Sequence, residues 1–188
     1  MRIFPTYRFY VLAVACSILL FIGYYYEFVF TVAKGLTAIL FLFILVDISL
    51  LFFSRGRIVL ERALPDRFSN GEQNEVSFSI VNTYGIRVDL VVLDELAAQF
   101  QKRDLRIELS LASGKQAFED YTLRPTERGE YHFGKTNVLV NTRLNLITRR
   151  FKFGEPRMVK VYPSFLNLEK YELSAISQSL KLSGQKRM

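Results

Sequence analysis

The sequence predicts a mainly β protein: a two-helix transmembrane hairpin, an immunoglobulin/fibronectin-like antiparallel β-sandwich, and a short C-terminal helical tail. Three observations predict it. Two long apolar runs fill residues 9–26 and 31–53. From residue 57 the hydrophobic period changes to two, the period of a strand with one buried face. About eight short segments of that kind, separated by turn residues, then occupy about a hundred residues, a spacing typical of sandwiches. The expected divisions are 1–54 for the hairpin, 55–163 for the sandwich, and 164–188 for a helical connector or tail.

The first run, FYVLAVACSILLFIG with Tyr24, Tyr25 and Tyr26, carries no charge. The second, TVAKGLTAILFLFILVDISLLFF, is longer. A crossing helix needs about 20 apolar residues for about 30 Å of hydrocarbon. Lipid leaves no bare backbone polar group unpunished, so such spans are helical. Tyr24, Tyr25, Tyr26 and Phe28 mark one headgroup level; Tyr7, Tyr10, Phe52 and Phe53 mark the other. Arg2 and Arg8 precede the first run, and Arg55, Arg57, Arg62 and Arg67 follow the second. The connection offers only Lys34 against Glu27. Flanking cations favour the cytoplasm. A two-pass protein of the bacterial inner membrane is expected, with its soluble domain cytoplasmic and the lipid bilayer as its first partner. A cleaved signal peptide fits poorly, because the second apolar run follows almost at once. Lipoprotein processing at Ala13-Val14-Ala15-Cys16 also fits poorly, because Ser17 to Tyr26 stay apolar.

Asp47 is the ionisable residue deep inside an apolar run, and such a carboxylate is a functional-site candidate. Two helices cannot enclose an ion pathway. The preferred reading is a hydrogen bond to Ser17 across the hairpin, or a place near the headgroups.

The strand segments follow in order. RIVLERAL (57–64) leads into the turn-rich PDRFSNGEQ. EVSFSIVN (75–82) alternates Val76, Phe78 and Ile80 against Ser77 and Ser79. NTYG (82–85) is a turn, and IRVDLVVLDEL (86–96) resumes the strand pattern. DELAAQFQK (94–102) suggests a short helix crossing between sheets. LRIELSLASG (105–114), KQAFEDYTLRP (115–125), GEYHFGKTNVLVNT (129–142), ITRRFKF (147–153) and RMVKVYP (157–163) complete the set. Beyond them, Leu166, Leu173, Ile176 and Leu180 recur at near-helical spacing.

Composition narrows the function classes. The net charge is +7, of which about +6 lies beyond residue 53 with both signs interspersed. A nucleic-acid binder would cluster Lys and Arg on one stripe, so no nucleic-acid partner is expected. The single cysteine, Cys16, excludes an internal disulfide, and with one histidine it argues against a zinc site. No cofactor is expected. Glu127, Arg128 and His132 form the one polar cluster that invites an enzymatic reading. Alternation places Tyr131 and Phe133 on one face and His132 on the other, outward. No nucleophile or metal partner stands at a recognisable spacing. A non-enzymatic protein is expected, with a lipid- or envelope-binding module as a further alternative.

PTERGEYHFG (125–134) also resembles a family motif, Pro-x-x-Arg-Gly-x-Tyr-x-Phe-Gly, through Pro125, Arg128, Gly129, Tyr131, Phe133 and Gly134. With the hairpin, the Asn-containing turn of IVNTYG and the Val161-Tyr162-Pro163 segment, the chain resembles the N-terminal portion of the domain of unknown function 58 family. Members often carry Asp-Pro-Phe-Gly-Leu where this chain has Arg143-Leu144-Asn145-Leu146-Ile147. The family's von Willebrand A-like part, opened by a Gly-Asp-Asp block, would lie past Met188, so the chain is expected to be a fragment of a longer protein. The resemblance implies a scaffold in a membrane assembly beside a MoxR-type AAA+ ATPase and other von Willebrand A-type proteins. It makes Arg128, Gly129, Tyr131 and Phe133, with Asp47, the structural or partner-contact candidates.

Overall fold

A computed structural model describes residues 2–54, 56–101 and 105–163. The tail expected over 164–188 lies outside the described residues. Strand β1 (Arg2–Pro5) precedes helix α1 (Tyr7–Gly23) and helix α2 (Glu27–Phe52). Ten strands follow: β2 (Ile58–Ala63), β3 (Arg67–Ser69), β4 (Asn74–Asn82), β5 (Val88–Asp94), β6 (Leu105–Leu111), β7 (Gln116–Leu123), β8 (Gly129–Phe133), β9 (Thr136–Asn141), β10 (Ile147–Phe153) and β11 (Arg157–Tyr162).

The two helices pack against each other along the hairpin, turning at Tyr24–Tyr26. Helix α2 has 26 residues, a rise of about 39 Å at 1.5 Å per residue. By length and composition it is long and apolar enough to cross a membrane, with a mean hydropathy of 2.5 over its best window. Helix α1 is apolar but has 17 residues. Most of the hairpin's large apolar side chains, including Phe21, Phe28, Phe41 and Leu42, are exposed. A soluble core helix would bury them.

The strands form a five-stranded sheet, β1-β10-β9-β5-β6, and two three-stranded sheets, β2-β4-β7 and β3-β11-β8. Their inner faces share one core, which includes Phe68, Phe78, Ile80, Val92, Tyr131, Phe133, Val138 and Val159. Strand β4 illustrates why the alternation works. Val76, Phe78 and Ile80 are fully buried, while Ser77 and Ser79 on the other face are half-buried. Burying such side chains stabilises by about 1.5–3 kcal/mol each.

Four features differ from the sequence reading. The segment ahead of α1 is a strand, β1, which pairs antiparallel with β10 through Ile3–Arg149 and Phe4–Thr148. The sandwich therefore includes residues on both sides of the hairpin, and the expected boundary at residue 54 misses one of its strands. The sandwich is not wholly antiparallel, because β11 pairs in parallel with β3, a strand inside the segment read as a turn. The run 129–142 is two strands in different sheets, broken at Gly134-Lys135. The short helix expected over 94–102 is a single 3₁₀ turn at Ala98–Phe100, and Asp94 ends β5.

Candidate functional site: the junction between the hairpin and the sandwich

The last two turns of α2 run into the sandwich, and Asp47 and Leu51 there are fully buried. Asp47 does not meet Ser17. The Ser17 hydroxyl donates to the Ala13 carbonyl within its own helix at 2.9 Å. Asp47 instead faces the loop between β9 and β10. Its Oδ2 accepts the amides of Leu146 and Ile147 at 3.0 and 2.9 Å, and its Oδ1 accepts the Thr142 hydroxyl. The loop reaches the helix because Asn145 adopts positive φ, 51°, which Asn tolerates well among non-glycine residues. Asp47 is thus a tether between helix and domain, supplying the acceptors that a buried loop backbone requires.

One turn later the Leu51 carbonyl, unpaired by the end of the helix, accepts Arg149 Nη1 and the Tyr84 hydroxyl, the latter at 3.3 Å. A cation at a helix C-terminus also opposes the negative end of the dipole. The Arg149 guanidinium is buried between the rings of Phe52 and Phe151, at 4.6 Å from each centroid, and donates to Tyr84 at 3.2 Å. Burial raises the Tyr84 pKa, and the positive Arg149 partly offsets the rise. On the first helix, the Thr6 hydroxyl donates to the Asn145 and Leu146 carbonyls, 2.5 and 3.1 Å away. Both ends of the hairpin are therefore bonded to the same loop.

The motif residues around 125–134 are explained by packing. Gly129 has φ of 138°, a conformation that disfavours any side chain. Tyr131 is buried against Phe100 and donates its hydroxyl to the Glu127 carbonyl at 3.0 Å, closing the turn before β8. Phe133 is buried edge-on to Phe68 at 5.9 Å. Gly134 lies so close to Glu95 that a Cβ there would sit 2.6 Å from the Glu95 Cβ. His132 is exposed on β8 opposite Met158, and Glu127 and Arg128 are exposed in the turn. Arg128 forms no ion pair with a described residue. The alternation turns His132 outward, as expected. Among the described residues, no three His, Cys, Asp or Glu side chains come together in a metal-holding arrangement.

A second buried polar cluster escaped the sequence reading. The Asp94 carboxylate, at the end of β5, accepts Arg62 Nη1 at 2.7 Å and the Thr136 hydroxyl at 2.8 Å on Oδ1. It accepts the Tyr121 hydroxyl at 2.5 Å on Oδ2. Arg62, read as a membrane-flanking cation, is 8% exposed and also donates to the Gly134 carbonyl. Strands β2, β5, β7 and β9 thus meet at one carboxylate. Burial, then the Asp94 charge, pushes the Tyr121 pKa far above its usual 10.0, with Arg62 opposing. The folded chain therefore keeps this proton where the unfolded chain releases it. Stability is unaffected below pH 10 and falls as the pH climbs above it. Thermal melting from about pH 8 to about pH 11 is expected to show that alkaline decline, with a shallower slope for Tyr121→Phe.

No protein-family model matches this chain. No curated protein matches it either. Among solved structures it is similar to the CARDB domain of a Pyrococcus furiosus protein, crystallised with di-metal ions. That likeness has 16% identity and a TM-score of 0.38, and covers 58% of this chain and 94% of that one. The chain is similar to the ASH / PapD-like domain of human CEP192 at 16% identity and a TM-score of 0.40, covering 56% of this chain and 86% of that one. It is also similar to a Listeria innocua β-glucosidase at 16% identity and a TM-score of 0.29, where it covers 58% of its own length and 16% of the enzyme. Likenesses this distant assign no function.

Proposed function

We propose that this chain is a membrane-anchored, non-enzymatic interaction protein. The hairpin holds it in the bilayer, and the sandwich is presented at the membrane surface to a partner protein. One observation carries the reading: the end of the apolar α2 is bonded into the domain through Asp47 and the Leu51 carbonyl. A flexible tether would leave the sandwich free to tumble. This junction gives the sandwich one orientation relative to the hairpin, which suits a docking platform. The PTERGEYHFG resemblance extends the proposal to the domain of unknown function 58 family, with a cytoplasmic sandwich and a MoxR-type AAA+ ATPase as partner. The enzymatic alternative at Glu127, Arg128 and His132 has no geometric support, since the three are exposed and make no side-chain hydrogen bond to a described residue.

The test begins with membrane fractionation of the full chain. It is expected to resist alkaline washing and to need detergent for release; release by washing alone overturns the anchoring. A Ser113→Cys variant in a Cys16→Ala background then reports the side. Ser113 is exposed in the turn after β6. Protection from an impermeant thiol reagent in intact cells is expected, and labelling overturns the cytoplasmic assignment. Co-purification with a co-expressed MoxR-type ATPase, retained by His132→Ala, is expected of the scaffold. Failure of the parent chain to co-purify overturns the assignment of that partner.

A further inference from the structure

A pocket of about 370 Å³ opens beside the end of α2. Leu50 of α2, Ile86 and Leu144 form its apolar wall, and Arg87, Arg143 and Thr142 complete it. Among the described residues, no carboxylate lines it. Asp47, the acid closest along α2, is bonded on both oxygens to the loop behind Thr142. Arg143 is exposed and makes no hydrogen bond to a described residue. Arg87 is exposed and donates its Nε to the Ser110 hydroxyl at 2.8 Å, which leaves its terminal nitrogens open. Leu50 stands two residues before the end of α2, about 3 Å of helix rise. With α2 in a bilayer, this pocket lies at the headgroup level.

We propose that this pocket binds the headgroup of an anionic phospholipid. The Arg87 and Arg143 guanidiniums take the phosphate oxygens, for which their planar forks are suited. Leu50, Ile86 and Leu144 lie against the first carbons of an acyl chain. Charge complementarity sets the occupant: two arginines beside an apolar wall match an anion joined to a hydrocarbon. A choline headgroup brings its own cation to the arginines, so zwitterionic lipid binds less well. The inference rests on the membrane anchoring proposed above. It adds a lipid preference to it: the domain would be seated most firmly where anionic lipid is plentiful.

The experiment uses the full chain in neutral detergent, titrated separately with phosphatidylglycerol, phosphatidylcholine and glycerol 3-phosphate, and read by native mass spectrometry and thermal melting. Phosphatidylglycerol is expected to bind and to raise the melting temperature more than phosphatidylcholine. A juxtamembrane arginine is worth about fivefold in affinity, so Arg87→Gln/Arg143→Gln is expected to lose about twenty-five-fold for phosphatidylglycerol. Lys160→Gln, an exposed cation on β11, is expected to lose nothing. If the double variant melts below its parent without lipid, Arg143→Gln alone carries the comparison, with about a fivefold loss expected. Equal binding of the two lipids, or an unchanged preference in the arginine variants, overturns the proposal. Glycerol 3-phosphate binding as tightly as the lipid overturns the lipid assignment in favour of a soluble phosphate ester. A chain that stays in washed membranes yet shows no lipid preference sinks this site alone. A chain released without detergent sinks the anchoring as well.

Discussion

Asp47→Ala is expected to detach the β9–β10 loop from α2. The alanine removes the acceptor for the Leu146 and Ile147 amides and for the Thr142 hydroxyl. No water replaces it readily, because Asp47 is 0% exposed. Each buried amide left without a partner costs about 1–3 kcal/mol, so the two amides together cost about 2–6 kcal/mol. Part of that cost is relieved by local opening rather than by unfolding, because β1 still pairs with β10 and Arg149 still holds the Leu51 carbonyl. Hydrogen exchange at the Leu146 and Ile147 amides is therefore the sharpest readout. It is expected to accelerate strongly in Asp47→Ala and partly in Asp47→Asn, which keeps one acceptor oxygen but turns an amide toward the donors. Membrane retention is expected to be unchanged, and partner co-purification to fall. Parental exchange rates in Asp47→Ala would show that the tether is incidental.

The same residue shows where sequence reading stops. Its depth in an apolar run marked it as unusual, but its partners lie 95 to 100 residues away, and no local pattern announces them. The two helices of the hairpin were legible because each is a long, nearly charge-free apolar run set off by aromatic residues at the turn. Strands β4 and β6 were legible because each turns one face to the core, fully buried in β4 and half-buried in β6, and alternation records that locally. Strands β1 and β3 were not. Arg2–Pro5 is four residues long and Arg67–Ser69 three, too short for a period to show. Their extended state is fixed by partners far along the chain, Ile147–Arg150 and Lys160–Tyr162. The motif from Pro125 to Gly134 was visible as a pattern. Its content is steric: positive φ at Gly129, close approach at Gly134, two buried rings between them. Arg62 misled for a related reason. A cation near a span resembles a topology signal until its carboxylate is found across the core.

That carboxylate supports the second large effect. Asp94→Ala is expected to bring the sandwich close to unfolding. The substitution leaves the Arg62 guanidinium buried beside Phe133 with only the Gly134 carbonyl still accepting from it. It also strips the acceptor from the Tyr121 and Thr136 hydroxyls. Breaking a buried pair from one side costs about 3–5 kcal/mol. A domain stable by about 5–15 kcal/mol loses a large fraction of that. Removing both charges should hurt less than removing one. In Arg62→Met/Asp94→Leu no charge is left desolvated, and apolar volume fills the site. The double variant is therefore expected to recover the part of the loss owed to the stranded Arg62 charge, while the two unsatisfied hydroxyls still cost about 1–3 kcal/mol each. Denaturant midpoints of the full chain in detergent measure the three cases. If Asp94→Ala shifts the midpoint no more than a surface substitution does, the apolar core alone holds the four strands together. A double variant less stable than Asp94→Ala would mean that the Arg62 bond to Gly134, rather than the ion pair, fixes β2 against the body of the domain.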